Sequence, residues 1–505
     1  MKYLRIFYLI VVFIVLNANI ALSGKVLSEK SESNWLTDKN GCRTYNDTPW
    51  PDSSIEWSGV CLDGYLDGNG VLKYLNNGVV MQIDEGTFSI SGLNGSGIRT
   101  LIKEYRYEGF FLDNIFSGKG TQTFVDGSKY VGNYANGKKA GKGVFTYANG
   151  STYSGRFADD ASNGMGTTTW ADGNKYVGSF VDGKRTGRGV FTWPSGNKYE
   201  GDFVNDKRTG KGIIAWADGN SYVGDFIDGK RSGKGVYSWA NGNKYDGDFV
   251  DDKKTGKGAF TWVDGNKYEG DFVGDKRTGK GVYTWTNGNK YDGCFAGDKK
   301  NGKGIFTWIG GNKYDGDFLN DKRTGRGLFV WTDGNKYEGD FVDGRRTGKG
   351  IYTWADGKKY KGDFLNDNIH GYGKLYDGES KELRYEGMFV DNEYSGFGTY
   401  FYTNARYVGE FNKGVKNGYG KTYSESDKIT RIGYYKNGKE EGNFWCVFPD
   451  GSKRVVAFKE GKLVDGAVEA RGESSVEAFT QAANKYSEVL AKHERDHNRM
   501  KLFLK

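Results

Sequence analysis

A 23-residue phrase recurs along most of this chain, and that fixed period constrains the fold more than any other feature. Residues 196–218 read GNKYEGDFVNDKRTGKGIIAWAD, the block from Gly219 reads GNSYVGDFIDGKRSGKGVYSWAN, and the block from Gly242 reads GNKYDGDFVDDKKTGKGAFTWVD. Aligned on the start Y-x-G-x-F, Tyr107, Tyr130, Tyr153, Tyr176, Tyr199, Tyr222, Tyr245, Tyr268, Tyr291, Tyr314, Tyr337 and Tyr360 follow one another at intervals of 23. Trp57 and Asp84 take the same slot upstream, and Tyr385, Tyr407, Arg431 and Arg454 take it downstream, so about 17 units cover residues 57–463, the best of them within 107–378.

Within a unit two short segments alternate with period two, the mark of half-buried strands. In the unit at Tyr176, the residues Tyr176, Gly178 and Phe180 share one face, and Gly187, Gly189, Phe191 and Trp193 share one face of the second segment, TGRGVFTW. The W-x-[DN]-G-N stretches supply the Gly and Asn that tight turns with positive φ require. Each unit is therefore expected to be a β-hairpin. A glycine normally weakens a strand, but a ring lying across it restores the lost packing. Composition agrees: with 80 Gly in 505 residues and only 36% hydrophobic residues, aromatics still reach 16%, so Tyr, Phe and Trp must supply the apolar area. Disordered chains are poor in aromatics, and here the aromatics keep a constant spacing. The expected fold class is all-β, an elongated single-layer antiparallel β-meander of stacked hairpins with one C-terminal α-helix. Two strands per unit at ~4.8 Å give ~9.6 Å per unit, or up to ~160 Å for the array before twist.

The pattern Tyr199-Glu-Gly201-Asp-Phe203, followed by Gly210-Lys-Gly212, resembles the membrane occupation and recognition nexus (MORN) repeat over about four-fifths of the chain. The resemblance implies a twisted antiparallel sheet of stacked hairpins that serves as a scaffold or attachment module; some members of that family also carry a catalytic domain, and none is visible in this sequence. One departure lies three residues after the Phe, where the family often has Gly and this chain alternates Gly183 and Gly229 with Asp206 and Asp252.

Stacking brings equivalent loops to one edge. From DGKRTGR at Asp182 to DGRRTGK at Asp343, eight loops carry 24 Lys and Arg against nine Asp, a local charge of about +15 in a chain whose net charge is +8. The candidate anionic-surface contacts are Lys184, Arg185, Arg188, Lys207, Arg208, Lys211, Lys230, Arg231, Lys234, Lys276, Arg277, Lys280, Lys322, Arg323 and Arg326. Such a stripe suits an anionic lipid or acidic glycan. The alternative is that these charges keep the sheet soluble, pair with neighbours and discourage edge-to-edge association. The candidate aromatic face is Tyr199, Phe203, Trp216, Tyr222, Phe226, Trp239, Tyr245, Phe249 and Trp262.

The N-terminus reads as an export signal: basic MKYLR, the apolar run Ile6–Leu16, then small residues with Ala21 and Ser23 before a cut at Gly24. Residues 1–23 are expected to be a cleaved signal peptide or a retained anchor, and the chain exported to the periplasm, cell envelope or extracellular space. Cys42 and Cys61 are candidates for a disulfide that staples a cap over residues 24–56, while Cys294 and Cys446 have no evident partner. Residues 474–505 form an expected amphipathic helix with a 3-4 spacing of Val476, Phe479, Ala483, Tyr486, Leu490, His493, His497, Met500 and Leu504. It contains His493-Glu494-Arg495-Asp496-His497, the H-E-x-x-H pattern of zinc proteases. Catalytic zinc needs a third protein ligand, and none follows His497, so both His are expected to pack against the last hairpins or a partner helix.

The sequence thus points to a non-enzymatic exported scaffold with no metal, no cofactor and no nucleic-acid partner. It would bind protein partners, or an anionic membrane or envelope surface, through many weak contacts, with a possible homodimer through the helix. A glycan-binding module using rows of Trp is the alternative, and a zinc hydrolase through the HERDH segment a remote one.

Overall fold

The computed structural model describes residues 34–47 and 49–464, together with Glu477, Thr480, Gln481, Asn484–Val489, Ala491–His493 and Arg495. The expected signal at residues 1–23 and His497 lie outside the described residues. Among these there are 39 β-strands and one helical segment, the latter at the C-terminus. No helix among the described residues is long and apolar enough to cross a membrane. The chain divides into two compact blocks, Met1–Gly242 with Phe249–Asp252, and Asn243–Asp248 with Lys253–Lys505.

Both blocks are antiparallel meanders built from the same hairpin. In the first block the strand Lys198–Val204 pairs with Lys207–Ala215, which pairs in turn with Ser221–Ile227. In the second, Lys313–Leu319 pairs with Lys322–Val330, which pairs with Lys336–Val342. The turn inside each hairpin is tighter than the sequence implies. Only Asn205 and Asp206 lie outside the strands, both with positive φ (46° and 69°), as a two-residue turn matched to strand twist demands. Lys207 and Arg208, read from the sequence as loop, are therefore the start of the second strand. Each such hairpin carries a register shift, as between Gly201 and Asp202, whereas in the central repeats the pairing to the next hairpin runs without one; the junctions at Tyr74–Leu75 and Leu375–Tyr376 are exceptions. Gly210, the first Gly of G-x-G, sits at the irregularity with φ 57°.

The turn between hairpins is held by Trp216, whose N–H donates to the Asn220 carbonyl at 2.9 Å and whose carbonyl accepts from Gly219 at 3.0 Å. The Asn of one turn then accepts from the backbone of the next: Asn197 Oδ1 from Ala217 N, Asn220 from Ala240, Asn289 from Ile309 and Asn335 from Ala355, at 2.8–2.9 Å. Pro194 has no N–H to offer, and Asn174 Oδ1, which that N–H would satisfy, is a buried acceptor without a partner.

At the N-terminus Cys42 and Cys61 are disulfide-bonded, with Cα atoms 5.5 Å apart. Trp57 covers Gly59 and Gly70 as Tyr does in later units. Arg431, by contrast, does not cover a glycine: its guanidinium binds Asp427, and the ring of Phe444 lies on Gly433 instead.

Candidate functional site

The repeated chemistry begins at the tyrosine. Tyr199 folds along its own strand over Gly201 and across to Gly212 on the partner strand, rather than over a neighbouring hairpin. A Cβ on Gly201 would come within 2.5 Å of the Tyr199 hydroxyl and 2.6 Å of Gly212 Cα, and one on Gly212 within 2.6 Å of the ring. The hydroxyl donates to the Asp202 carbonyl at 3.1 Å. Each Tyr meets its own Phe and the next unit's Phe edge-on: Tyr199 lies 5.2 Å from Phe203 at 88° and 5.1 Å from Phe226 at 84°. These contacts form a continuous edge-to-face stack within each block, worth ~0.5–1.5 kcal/mol per pair beyond area burial. Burial pushes the Tyr199, Tyr222 and Tyr268 phenols up to about 12.

The candidate rings separate accordingly. Tyr199, Phe203, Tyr222, Phe226, Tyr245 and Phe249 are buried, whereas Trp216, Trp239 and Trp262 are half-buried in a second row. There each Trp leans on an aromatic residue of the next unit, as Trp216 on Tyr237 at 5.4 Å and Trp262 on Tyr283 at 5.2 Å.

The three cations of each loop do not line one edge. The first, at Lys184, Lys207, Lys230, Lys276 and Lys322, is exposed at the tight turn. Lys207, Lys230 and Lys322 pair with Asp228, Asp251 and Asp343 of the following unit at 3.1–3.2 Å. The third, at Arg188, Lys211, Lys234, Lys280 and Arg326, lies on the face opposite the tyrosines. Arg188, Lys211 and Arg326 there pair across the strand with Asp202, Asp225 and Asp340. Lys280 faces Cys294, which replaces that Asp.

The second cation turns inward. Arg185 stands over Trp170, Tyr176, Phe191 and Phe203, with its carbon Cζ 5.4–5.7 Å from each ring centroid. Its Nε donates to Asp206 Oδ1 at 2.9 Å and its Nη2 to the Asp206 carbonyl at 3.0 Å. Arg231 with Asp252, Arg277 with Asp298 and Arg346 with Asp367 repeat the arrangement at 2.9–3.2 Å. The alternation of Asp with Gly three residues after the Phe now has a cause: that Asp belongs to the preceding unit's arginine. Where it is Gly, the arginine has only a carbonyl, as Arg208 to Gly229 and Arg323 to Gly344, both at 2.7 Å. Burial over the rings lowers both of these guanidinium pKa values.

The C-terminal helix packs on the polar face of the second block. Tyr486 is buried and its hydroxyl donates to the Val408 carbonyl at 3.4 Å, and the His493 imidazole stacks on Phe397 at 4.7 Å with planes 2° apart. Phe397 holds the position where central units carry the third cation, as do Tyr372 and Tyr419. Among the described residues no three or more His, Cys, Asp or Glu are grouped to hold a metal.

The MORN repeat family matches this sequence at 15 stretches from residue 107 to 453, each beginning where a hairpin begins. No curated protein matches it. Among solved structures, it is similar to the TCP10 domain of Danio rerio CPAP (12% identity, 44% of this chain and 99% of that one, TM-score 0.23). It is similar also to the TCP domain of Drosophila melanogaster SAS-4 in complex with a proline-rich motif of Ana2 (12% identity, 31% and 85%, TM-score 0.21). A streptogramin B lyase is matched at 11% identity over 60% and 93%, with a TM-score of 0.11. At these TM-scores the three likenesses bear on neither mechanism nor partner.

Proposed function

The chain belongs to the MORN repeat family, and from that premise we propose that it is an exported, non-enzymatic scaffold that holds an anionic surface or an acidic partner through repeated weak contacts. One observation carries the reading. Lys253, Lys276 and Lys299 stand exposed at the same turn of three consecutive units, and the next unit offers Gly274, Gly297 or Asn320 where others offer Asp. Lys207, Lys230 and Lys322 are neutralised by their neighbours; Lys184, facing Asn205, stands alone, but here three consecutive ammonium groups recur with no carboxylate among the described residues. Three weak contacts in register add by avidity. The Cys42–Cys61 disulfide and the N-terminal signal pattern support export, since such bonds persist in oxidising compartments.

Cosedimentation with vesicles of phosphatidylglycerol and phosphatidylcholine tests the contact. Binding should fall steeply between low and physiological salt, because exposed charges are screened. The triple variant Lys253→Gln, Lys276→Gln, Lys299→Gln should lose most of it, and Lys207→Gln, Lys230→Gln, Lys322→Gln much less. Binding that ignores both salt and the first triple variant would sink the proposal. N-terminal sequencing of secreted protein tests export, with Gly24 as the expected first residue.

The half-exposed Trp row favours a second reading, a glycan platform, because a ring presenting one edge or face can stack on a sugar. Quenching of Trp fluorescence by a neutral oligosaccharide such as cellohexaose, unaffected by salt, would favour it over the charged contact.

A further inference from the structure

Two units of the array lack a group that their equivalents possess. Arg185, Arg231, Arg277 and Arg346 each hold a carboxylate from the next unit, whereas Arg208 and Arg323 face Gly229 and Gly344. Both remain over the rings, Arg208 5.4 Å from Tyr199 and 5.5 Å from Phe226, Arg323 5.2 Å from Phe329 and 5.4 Å from Phe341. Each donates through Nη2 to one carbonyl and has no other side-chain hydrogen bond among the described residues. A guanidinium offers five N–H groups in a planar fork, so most of that capacity is unused.

A second change falls on the same two units. In the turns before Arg185, Arg231, Arg277 and Arg346, an Asp two residues before the Asn holds its amide: Asp172 holds Asn174, Asp218 holds Asn220, Asp264 holds Asn266 and Asp333 holds Asn335, at 2.7–2.8 Å. In the turns before Arg208 and Arg323 that Asp is Ser195 or Gly310, and the Nδ2 groups of Asn197 and Asn312 have no acceptor among the described residues. Arg208 and Asn197 line one cavity of about 440 Å³ together with Trp193 and Trp216. Arg231 and Asp252 also line it as an existing pair, Asp252 Oδ1 accepting from both the Nε and the backbone N–H of Arg231.

We propose that Arg208 and Arg323, each with the Asn of the preceding turn, bind the carboxylate of an external ligand in the position that aspartate fills in the other arginine units. A carboxylate is what the equivalent arginines select: at Arg185 both Nε and the backbone N–H donate to the same Asp206 oxygen. The Trp edges give the ligand's body an apolar wall. This site is separate from the exposed lysines and does not depend on what they hold.

The test uses the full secreted chain and sodium acetate as the probe, observed by saturation-transfer NMR of the acetate methyl at fixed ionic strength. The variant Gly229→Asp, Gly344→Asp supplies the missing carboxylates from the chain itself. Nothing lies within 4 Å of a Cβ at Gly229, and Asp already occupies equivalent turns at φ 68–73°, so this variant should fold and melt higher than the wild type. Acetate transfer should drop at least fivefold in it, and likewise in Arg208→Gln, Arg323→Gln. Equal transfer in wild type and the Gly→Asp variant would overturn the proposal. So would displacement of acetate by inorganic phosphate at lower concentration than by propionate, which would make the site a general anion site.

Discussion

The central repeats and the flanking repeats solve the same packing problem with opposite chemistry. Nine residues after the tyrosine, central units place Arg185, Arg208, Arg231, Arg277, Arg323 and Arg346 over the ring, or a lysine such as Lys300. Towards the ends the same position can hold a ring, as Phe116, stacked on Tyr107 at 3.8 Å, and Tyr394, stacked on Tyr385 at 4.1 Å, although the unit of Tyr407 keeps a cation, Lys416, 4.9 Å from its ring. Leu93 lies over Gly86 and Gly97 in a unit whose tyrosine is replaced by Asp84, itself buried against Arg99 at 2.8 Å. The difference teaches that this position is a lid on the aromatic stack. A cation there is a packing group first, and its charge is answered by an aspartate or left to the cavity.

The comparison can be broken by alkali, where the largest effect is expected. The phenols are held above their ordinary value of 10.0 by burial, so the folded state keeps protons that the unfolded chain gives up. Stability is full below pH 10 and is lost as pH rises through about 12, and with a tyrosine in nearly every unit the β signal in circular dichroism should collapse over that window. Flanking Tyr385 and Tyr407, more deeply buried and shifted further up, should ionise last. An array that keeps its structure well above pH 12 would contradict the buried-phenol account.

Next in size, Phe116→Ala should cost ~3–5 kcal/mol locally, against ~1–2 kcal/mol for Arg185→Ala, read by hydrogen exchange of the two hairpins. Comparable losses would mean that ring and cation are equivalent lids. Gly201→Val should cost ~1–3 kcal/mol by forcing Tyr199 off its seat. Because each unit touches only its neighbours, the damage should stay local. Arg277→Phe, which imports the flanking solution into the centre, should change stability by no more than ~1 kcal/mol. Smallest of all, Lys207→Gln removes an exposed pair with Asp228 and should be worth less than ~0.5 kcal/mol in the same exchange measurement.

The fold was legible because its signal is periodic. Alternation placed Tyr199, Gly201 and Phe203 on one face, and the aromatic-on-glycine contact followed from it. The strand boundary at Lys207 was hidden because a turn rich in Asp and Lys reads as one polar loop, although only two residues turn. The inward arginines were hidden for a related reason: polarity marks Arg185 as solvent-facing, while its planar head rests on rings. A signal for the lid did exist in the sequence, since Phe116, Ile369 and Tyr394 occupy register with Arg185. The seat of His493 was equally visible in Phe397, which replaces a cation on the polar face. The pairing of each Arg with an Asp 21 residues later was out of reach, because local patterns do not show which edges of neighbouring hairpins meet.

Each vacant arginine is a property of a junction: the guanidinium is written in one repeat and the missing carboxylate in the next. Since the pairing from hairpin to hairpin carries no register shift among the central repeats, exchanging two of these repeats would leave the strands aligned yet create or erase such a vacancy. The order of repeats therefore works as an address, and a chain of this kind could relocate a recognition point by recombination alone, without altering a single residue within any repeat.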